Sequence, residues 1–208
     1  MEWATPWEVE QPVELSTYQK SVLIGTLLGD GHLERDGRHV RLKIDHAWTQ
    51  AAYVWWKFRV FQDWTLREPQ RRLVYDKRNG GLSIHCRFVT RTLPELEEYY
   101  QLFYVNKRKV VPQGIQRLLH SSLALAVWYM DDGARRTDCQ ALRVHTNAYT
   151  LEEQYLLCET LVNNFGVSAR VHRVRANEYV LYIPACQAKT FCDLIRPYVL
   201  PELYHKLL

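Results

Sequence analysis

Two apolar, helix-length runs end on the same pair of residues, and that coincidence restricts the chain more than its composition does. LIGTLLGDG spans 23–31 and LAVWYMDDG spans 125–133, so Asp30-Gly31 and Asp132-Gly133 close them. Glycine just past a helix end is ordinary, because it adopts conformations that stop the helix at little cost. Aspartate there is not, since the negative end of the helix dipole repels a carboxylate. One such case is turn chemistry. Two, about a hundred residues apart, point to a place where carboxylates meet a cation, because local rules broken without compensation tend to mark function.

The rest of the chain is that of an ordinary globular protein. At 208 residues, 47% hydrophobic and 24% charged, it can bury a sizeable core in one domain or two small ones. Charges interrupt every apolar run, so no membrane span is expected. The N-terminus shows no basic region followed by an apolar stretch, hence no secretory signal. Five cysteines without CxxC spacing argue against a disulfide framework and a structural zinc site, and fit a reducing, intracellular compartment. Few Lys, Ile and Asn favour a prokaryotic cytoplasm over an AT-rich organelle genome. The net charge of +4 is uneven. Residues 1–15 carry four glutamates and no Lys or Arg, whereas 16–111 carry 17 basic against 10 acidic residues and 112–208 carry 10 against 9. A basic first half suits a polyanion partner, though it equally describes a solvated face. Arginine supplies 19 of the 27 positive charges, which favours bidentate recognition of phosphates and base edges unless it reflects a GC-rich genome.

Aligned on the two Asp-Gly ends, the chain repeats itself. Each end is followed by a polar turn and an alternating strand, 40–45 and 142–145, and then by a helix, 49–64 and 150–164. The second of these helices opens with the capping box Thr150-x-x-Glu153 and stops at Gly166. Strand pairs over 71–76 and 82–89, and over 168–174 and 179–183, lead into helices over 92–104, with its own box Thr92-x-x-Glu95, and over 184–196. The expected organisation is an acidic extension at 1–15, a first repeat at 16–111 and a second at 112–208, with 107–116 as the join.

Side-chain alternation assigns faces to these strands. Val40, Leu42 and Ile44 oppose Arg41, Lys43 and Asp45. Leu82, Ile84, Cys86 and Phe88 oppose His85 and Arg87, while Val144 opposes Arg143 and His145, and Val171 opposes Arg170 and His172. A polar outer face is normal for an antiparallel sheet. Here the outward residues are mostly cationic, as a face that meets nucleic acid requires.

These features resemble the LAGLIDADG homing endonucleases in their single-chain form with two motifs. Leu23, Gly25, Asp30 and Gly31 match the first motif, and Leu125, Ala126, Asp132 and Gly133 the second; 106–112 and 201–206 also match one branch of that family. The likeness runs from Ser16 to Leu208. It implies an α+β fold of two αββαββα halves related by a pseudo-twofold axis, with paired central motif helices and antiparallel DNA-binding sheets. Gly25 and Gly29 would allow the helices to approach closely, although the second motif has Val127 and Asp131 where small residues are usual.

The resemblance further implies a metal-dependent nuclease that cuts both strands of double-stranded DNA at a long, asymmetric target, bound by a monomer. Asp30 and Asp132 would be neutralised by Mg²⁺, with Mn²⁺ or Ca²⁺ able to occupy the same site, because hard oxygen ligands suit these ions. Main-chain carbonyls of Gly29 and Asp131 would complete the ligands, the Asp131 side chain serving helix packing. Lys109 and Lys206 look like the family's basic residues near the cleaved phosphates, and Asp45 and His145 occupy strand positions where a polar side chain orders water. DNA contacts would fall to Arg38, Arg41, Lys43, Asp45, Arg71, Tyr75, His85 and Arg87 in the first half. Arg135, Arg143, His145, Arg170 and His172 would serve the second. The alternative on the same scaffold is a maturase that binds its host intron RNA.

Overall fold

Two four-stranded antiparallel sheets with the same strand order flank a central helix pair. The computed structural model describes residues 14–37, 39–76, 80–176 and 178–208. In the first half, α1 (Thr17–Leu28) leads into β1 (His32–Asp36), β2 (His39–Ala47), α2 (Ala51–Val60), β3 (Gln70–Asp76), β4 (Gly81–Val89) and α3 (Glu95–Phe103). A two-residue hairpin, β5 (Tyr104–Val105) and β6 (Arg108–Lys109), and a short helix α4 (Ile115–Leu118) connect to the second half. There α5 (Ser122–Asp132) is followed by β7 (Gly133–Arg135), β8 (Leu142–Val144), α6 (Leu151–Phe165), β9 (Arg170–Arg175), β10 (Glu178–Ile183) and α7 (Ala185–Ile195). The sheets are ordered β1-β2-β4-β3 and β7-β8-β10-β9. The fold is therefore the duplicated αββαββα arrangement that the repeat implied.

Helices α1 and α5 pack along their length because glycine removes the obstacle. A Cβ on Gly25 would stand 2.3 Å from the Ala124 carbonyl oxygen and 2.7 Å from the Val127 Cβ, distances no side chain tolerates. Val127 thus faces the cleft that Gly25 leaves, and a small residue on one helix suffices where the second motif lacks one. Residues 22–28 and 123–131 are buried without interruption, and both helices belong to one hydrophobic cluster that continues under each sheet.

Local departures from the expected elements have identifiable causes. The polar turn expected after Asp30 contains β1, a strand whose only buried residue is Leu33; pairing with β2 holds it, which a pattern of apolar residues cannot reveal. The helix expected over 49–64 is a 3₁₀ turn at Trp48–Gln50, then α2, then a second 3₁₀ turn at Gln62–Trp64. The box at Thr92 does not form. Leu93 bridges back to Val40, donating its N–H to that carbonyl at 2.9 Å, so α3 starts only at Glu95, with Pro94 as an uncapped N-cap. The Thr150–Glu153 box is present and Gly166 takes the left-handed conformation, φ 66°, as the sequence predicts. At the join, Asn106 and Lys107 both have positive φ, 51° and 64°, in the two-residue loop between β5 and β6, the geometry that matches strand twist in tight hairpins.

Candidate active site

The carboxylates of interest lie where α1 and α5 end together, but the two chains arrive there differently. Asp132 is the last residue of α5, and its carbonyl accepts the His145 N–H at 2.9 Å. Asp30 lies two residues beyond α1, after Gly29 has left helical geometry with φ −95° and ψ −134°. Its main-chain N–H donates to Asp131 Oδ2 at 3.1 Å. Gly31 N–H returns to the Thr26 carbonyl at 2.8 Å, and Tyr149 donates its hydroxyl to the Leu28 carbonyl at 2.8 Å. The Asp30 side chain is about half exposed, at 49%.

Two lysines cover the exposed carbonyls of the helix ends. Lys109, delivered by the β5–β6 hairpin, donates to the Gly29 carbonyl at 2.6 Å. Lys206 ends the 3₁₀ stretch Pro201–Lys206 and donates to the carbonyls of Met130 at 2.6 Å and Asp131 at 3.1 Å. Its own carbonyl is fixed by the Tyr129 hydroxyl at 2.7 Å. Corresponding lysines of the two halves thus meet corresponding helix ends, where carbonyl dipoles favour cations.

These groups form one electrostatic cluster. Burial, then the charges of Asp131 and Asp30, raises the Asp132 carboxyl to about 8 against the opposing pull of Lys109 and Lys206. Burial lowers the Lys109 ammonium to about 8 although Asp132, Asp131 and Asp30 hold it up. Lys206 is lowered for the same first reason. Burial is the main reason the Asp132 carboxyl is raised, and the neighbouring carboxylates add to it.

The Asp131 side chain does something the motif does not announce. It is buried beneath Gly29, where a Cβ would meet its Cβ and Oδ2 at 2.5 Å, and it forms an ion pair with fully buried Lys57, Nζ lying 2.8 and 3.0 Å from its two oxygens. His46, 5% exposed, stands alongside. Its Nδ1 is hydrogen-bonded to Gln50 at 2.8 Å and lies 3.6 Å from Asp30 Oδ2, and its Nε2 lies 3.9 Å from Asp131 Oδ1 with no hydrogen-bond partner. Burial, then the Lys57 charge, pushes this imidazole below its usual value. Asp30, His46 and Asp131 present ligand atoms within 4.8 Å of one another, a group able to hold a metal ion. Lys57 engages the Asp131 carboxylate inside the fold, while the main-chain carbonyl of Asp131 faces Lys206.

His46 and Lys57 carried no expectation, yet each has a sequence signal. His46 continues the inward series Val40, Leu42, Ile44, and Lys57 lies three and four residues after buried Val54 and Tyr53. A titratable residue in an apolar register must find a partner inside.

Strand register sorts the expected DNA contacts. Asp45 pairs with Arg87 and Ala47 with His85, and His85 stands opposite Arg72, so Lys43, Asp45, His85, Arg87 and Arg72 share the open face. Arg41 is on it too, held by Glu34 and Asp36, and Asp45 Oδ1 accepts from His85 Nδ1 at 2.7 Å. Arg71 and Tyr75 correct the expectation: they stand opposite Cys86 and Leu82, on the helix-side face, where Arg71 lies over the Trp48 ring. Arg72, opposite His85, is the residue of this arginine pair on the open face. In the second sheet Arg143 stands opposite Tyr182, as does Arg170, and His172 stacks on the Tyr182 ring at 4.2 Å. His145 follows Arg143 on the same side. Arg135 is opposite buried Leu142, hence on the helix side, while Arg136 reaches the Tyr182 ring. Arg38 lies outside the described residues.

A duplicated α+β fold with acids at a shared helix end and two cationic sheet faces defines a class of nucleic-acid-processing protein, and the comparisons with known proteins give its family. Residues 20–191 match the LAGLIDADG DNA endonuclease family, and the chain belongs to it. It is 27% identical over 206 residues to the probable intron-encoded endonuclease 1 of Wickerhamomyces canadensis, covering 96% of this chain and 87% of that protein. It is also 27% identical over 194 residues to the cytochrome b mRNA maturase bI2 of Debaryomyces hansenii, covering 89% and 72%. The fold is similar to that of the homing endonuclease I-WcaI bound to its DNA recognition sequence, with a TM-score of 0.86, 27% identity, and coverage of 94% of this chain and 88% of that one. No described helix is long and apolar enough to cross a membrane.

Proposed function

We propose that this chain is a homing endonuclease that hydrolyses one phosphodiester bond in each strand of a long, asymmetric DNA site. The observation that carries this is the convergence of Asp30, Asp132, Lys109 and Lys206 at one end of a glycine-packed helix pair. Each half contributes one acid and one lysine, so a single chain supplies a set for each strand and acts as a monomer.

The donor set fits Mg²⁺. Two carboxylates and the carbonyls of Gly29 and Asp131 are hard oxygens; both carbonyls already draw ammonium groups, and burial together with Asp131 and Asp30 disfavours the ionised form of Asp132, which a cation would offset. Asp30, Asp132 and those carbonyls would hold the ion, which supplies Lewis-acid stabilisation of charge at the phosphate. Lys109 and Lys206, on short tethers to the helix ends, place positive charge where phosphate oxygens enter. His46 lines the inner side of Asp30, its Nδ1 3.6 Å from Oδ2. The open face carrying Arg41, Lys43, Arg72, His85 and Arg87, with Arg143, Arg170 and His172 on the other sheet, binds backbone and base edges. The long first-half strands and the shorter second-half ones present different residues, which makes the target asymmetric.

Selecting cleaved molecules from a randomised duplex pool with Mg²⁺ tests this directly. Recovery of one sequence cut in both strands is expected; no enrichment over a metal-free control sinks the reading. The maturase reading keeps one specific support, the similarity to the Debaryomyces maturase. Stimulation of splicing of the host intron by purified protein would establish it as a second activity. Few Lys, Ile and Asn favour a prokaryotic cytoplasm as the setting, whereas the relatives from Wickerhamomyces and Debaryomyces favour a eukaryotic one.

A further inference from the structure

The catalytic reading leaves the buried Lys57–Asp131 pair without a role. Burying two charges does not by itself stabilise a fold, because desolvation offsets their attraction and apolar residues fill such space as well. What distinguishes this pair is its attachment. Lys57 lies over the Tyr53 ring at 4.4 Å and grips both oxygens of Asp131. One of those oxygens accepts the Asp30 N–H. Across the pseudo-twofold axis the residue corresponding to Asp131 is Gly29, which has no side chain, so no reciprocal hold reaches Asp132.

The two acids need different support. Asp132 is inside α5, and helical hydrogen bonds fix its backbone. Asp30 lies outside α1, in non-helical backbone whose position depends on tertiary bonds. Lys57 fixes the Asp131 carboxylate, and that carboxylate fixes Asp30.

Building on the nuclease reading, we propose that Lys57, acting through the Asp131 carboxylate, is a positioning residue for Asp30, so that breaking the pair slows the cut that relies on Asp30 more than the cut that relies on Asp132 and nicked duplex accumulates. Lys57 does not touch the reacting phosphate. The hydrogen-bonded hold reaches Asp30, whereas Asp132 feels Asp131 only through its charge.

The test is a strand-resolved time course on the selected duplex, each strand carrying its own label, for wild type, Lys57→Met and Lys57→Arg. Lys57→Arg returns a cation to the Asp131 carboxylate and should recover most of the lost rate, which a simple folding failure would not explain. In Lys57→Met one strand is expected to be cut at least about tenfold more slowly than the other, because displacing a catalytic group by 1 Å can cost about a hundredfold. Nicked duplex accumulates, and target affinity measured in EDTA stays close to that of wild type. Equal slowing of both strands, loss of binding along with both cuts, or no change in either strand overturns the proposal. A wild-type protein that cuts no duplex from the pool sinks the nuclease reading itself.

Discussion

The paired helices and the paired sheets have diverged to different degrees. Where α1 and α5 end, the halves are matched: each supplies an aspartate and a lysine that donates to a main-chain carbonyl there. The sheets share strand order and little else. In the first, β2 and β4 run nine residues and cationic side chains are restrained by acids, Arg41 by Glu34 and Asp36 and His85 by Asp45. In the second, β8 has three residues, His172 stacks on the Tyr182 ring, and among the described residues the one cation restrained by an acid is Arg136, paired with Asp138. Chemistry that must be repeated on two antiparallel strands keeps its two halves alike, whereas recognition of an asymmetric sequence leaves each sheet free to differ.

The comparison is most exposed at the acids. Asp30→Asn and Asp132→Asn should each abolish double-strand cutting, with at least about a hundredfold loss in rate, the cost of removing one group that stabilises developing charge. DNA binding should remain measurable by gel shift. Wild-type cutting by either variant would show that the halves are not equivalent in chemistry.

Next comes the helix contact. Gly25→Ala forces a Cβ to within 2.3 Å of the Ala124 carbonyl, backbone that cannot rotate away. It should lower stability by about 1–3 kcal/mol by denaturant titration. An unchanged midpoint would mean the helices are not held at this distance.

The acids should also respond to pH. Asp132 has a folded value near 8, above its unfolded one, so its protonated form is favoured by folding. In the absence of metal this group's contribution to stability is present below the ordinary carboxylate range and is lost as pH rises toward about 8. A cation must displace that proton, so Mg²⁺ affinity measured by calorimetry should rise up to about tenfold per pH unit below 8 and then level off. A flat profile would show that Asp132 is already ionised.

The smallest effect separates the faces of one strand. Arg72→Ala should weaken target binding and reduce the salt slope by about 0.9 if it meets a phosphate. Arg71→Ala, on the helix side, should leave the slope unchanged. The reverse result would put DNA on the other face of β3.

How much of this the sequence disclosed depends on range. The capped helix Thr150 to Gly166, the inward alternation of Val40, Leu42 and Ile44 and the two motif ends are local signals, and they are found where expected. β1 was invisible because Leu33 alone anchors it, and the failure of the Thr92 box came from a contact with Val40, 53 positions away. The parity of β3 could not be read from its own residues, since Arg71 and Arg72 differ only in which residue of β4 they face. At the site, the acids and lysines were legible as motif positions. The Lys57–Asp131 pair was not, because it joins residues 74 apart and only the fold brings them together.

The central claim is that Asp30 and Asp132 hold a common divalent-metal site at the ends of α1 and α5. Anomalous diffraction from the protein bound to its selected DNA in Mn²⁺ tests it most directly. The account predicts manganese peaks bonded to both carboxylates and to the main-chain oxygens of Gly29 and Asp131, beside a phosphate. Peaks confined to other groups, or none at this end of the helix pair, would contradict it.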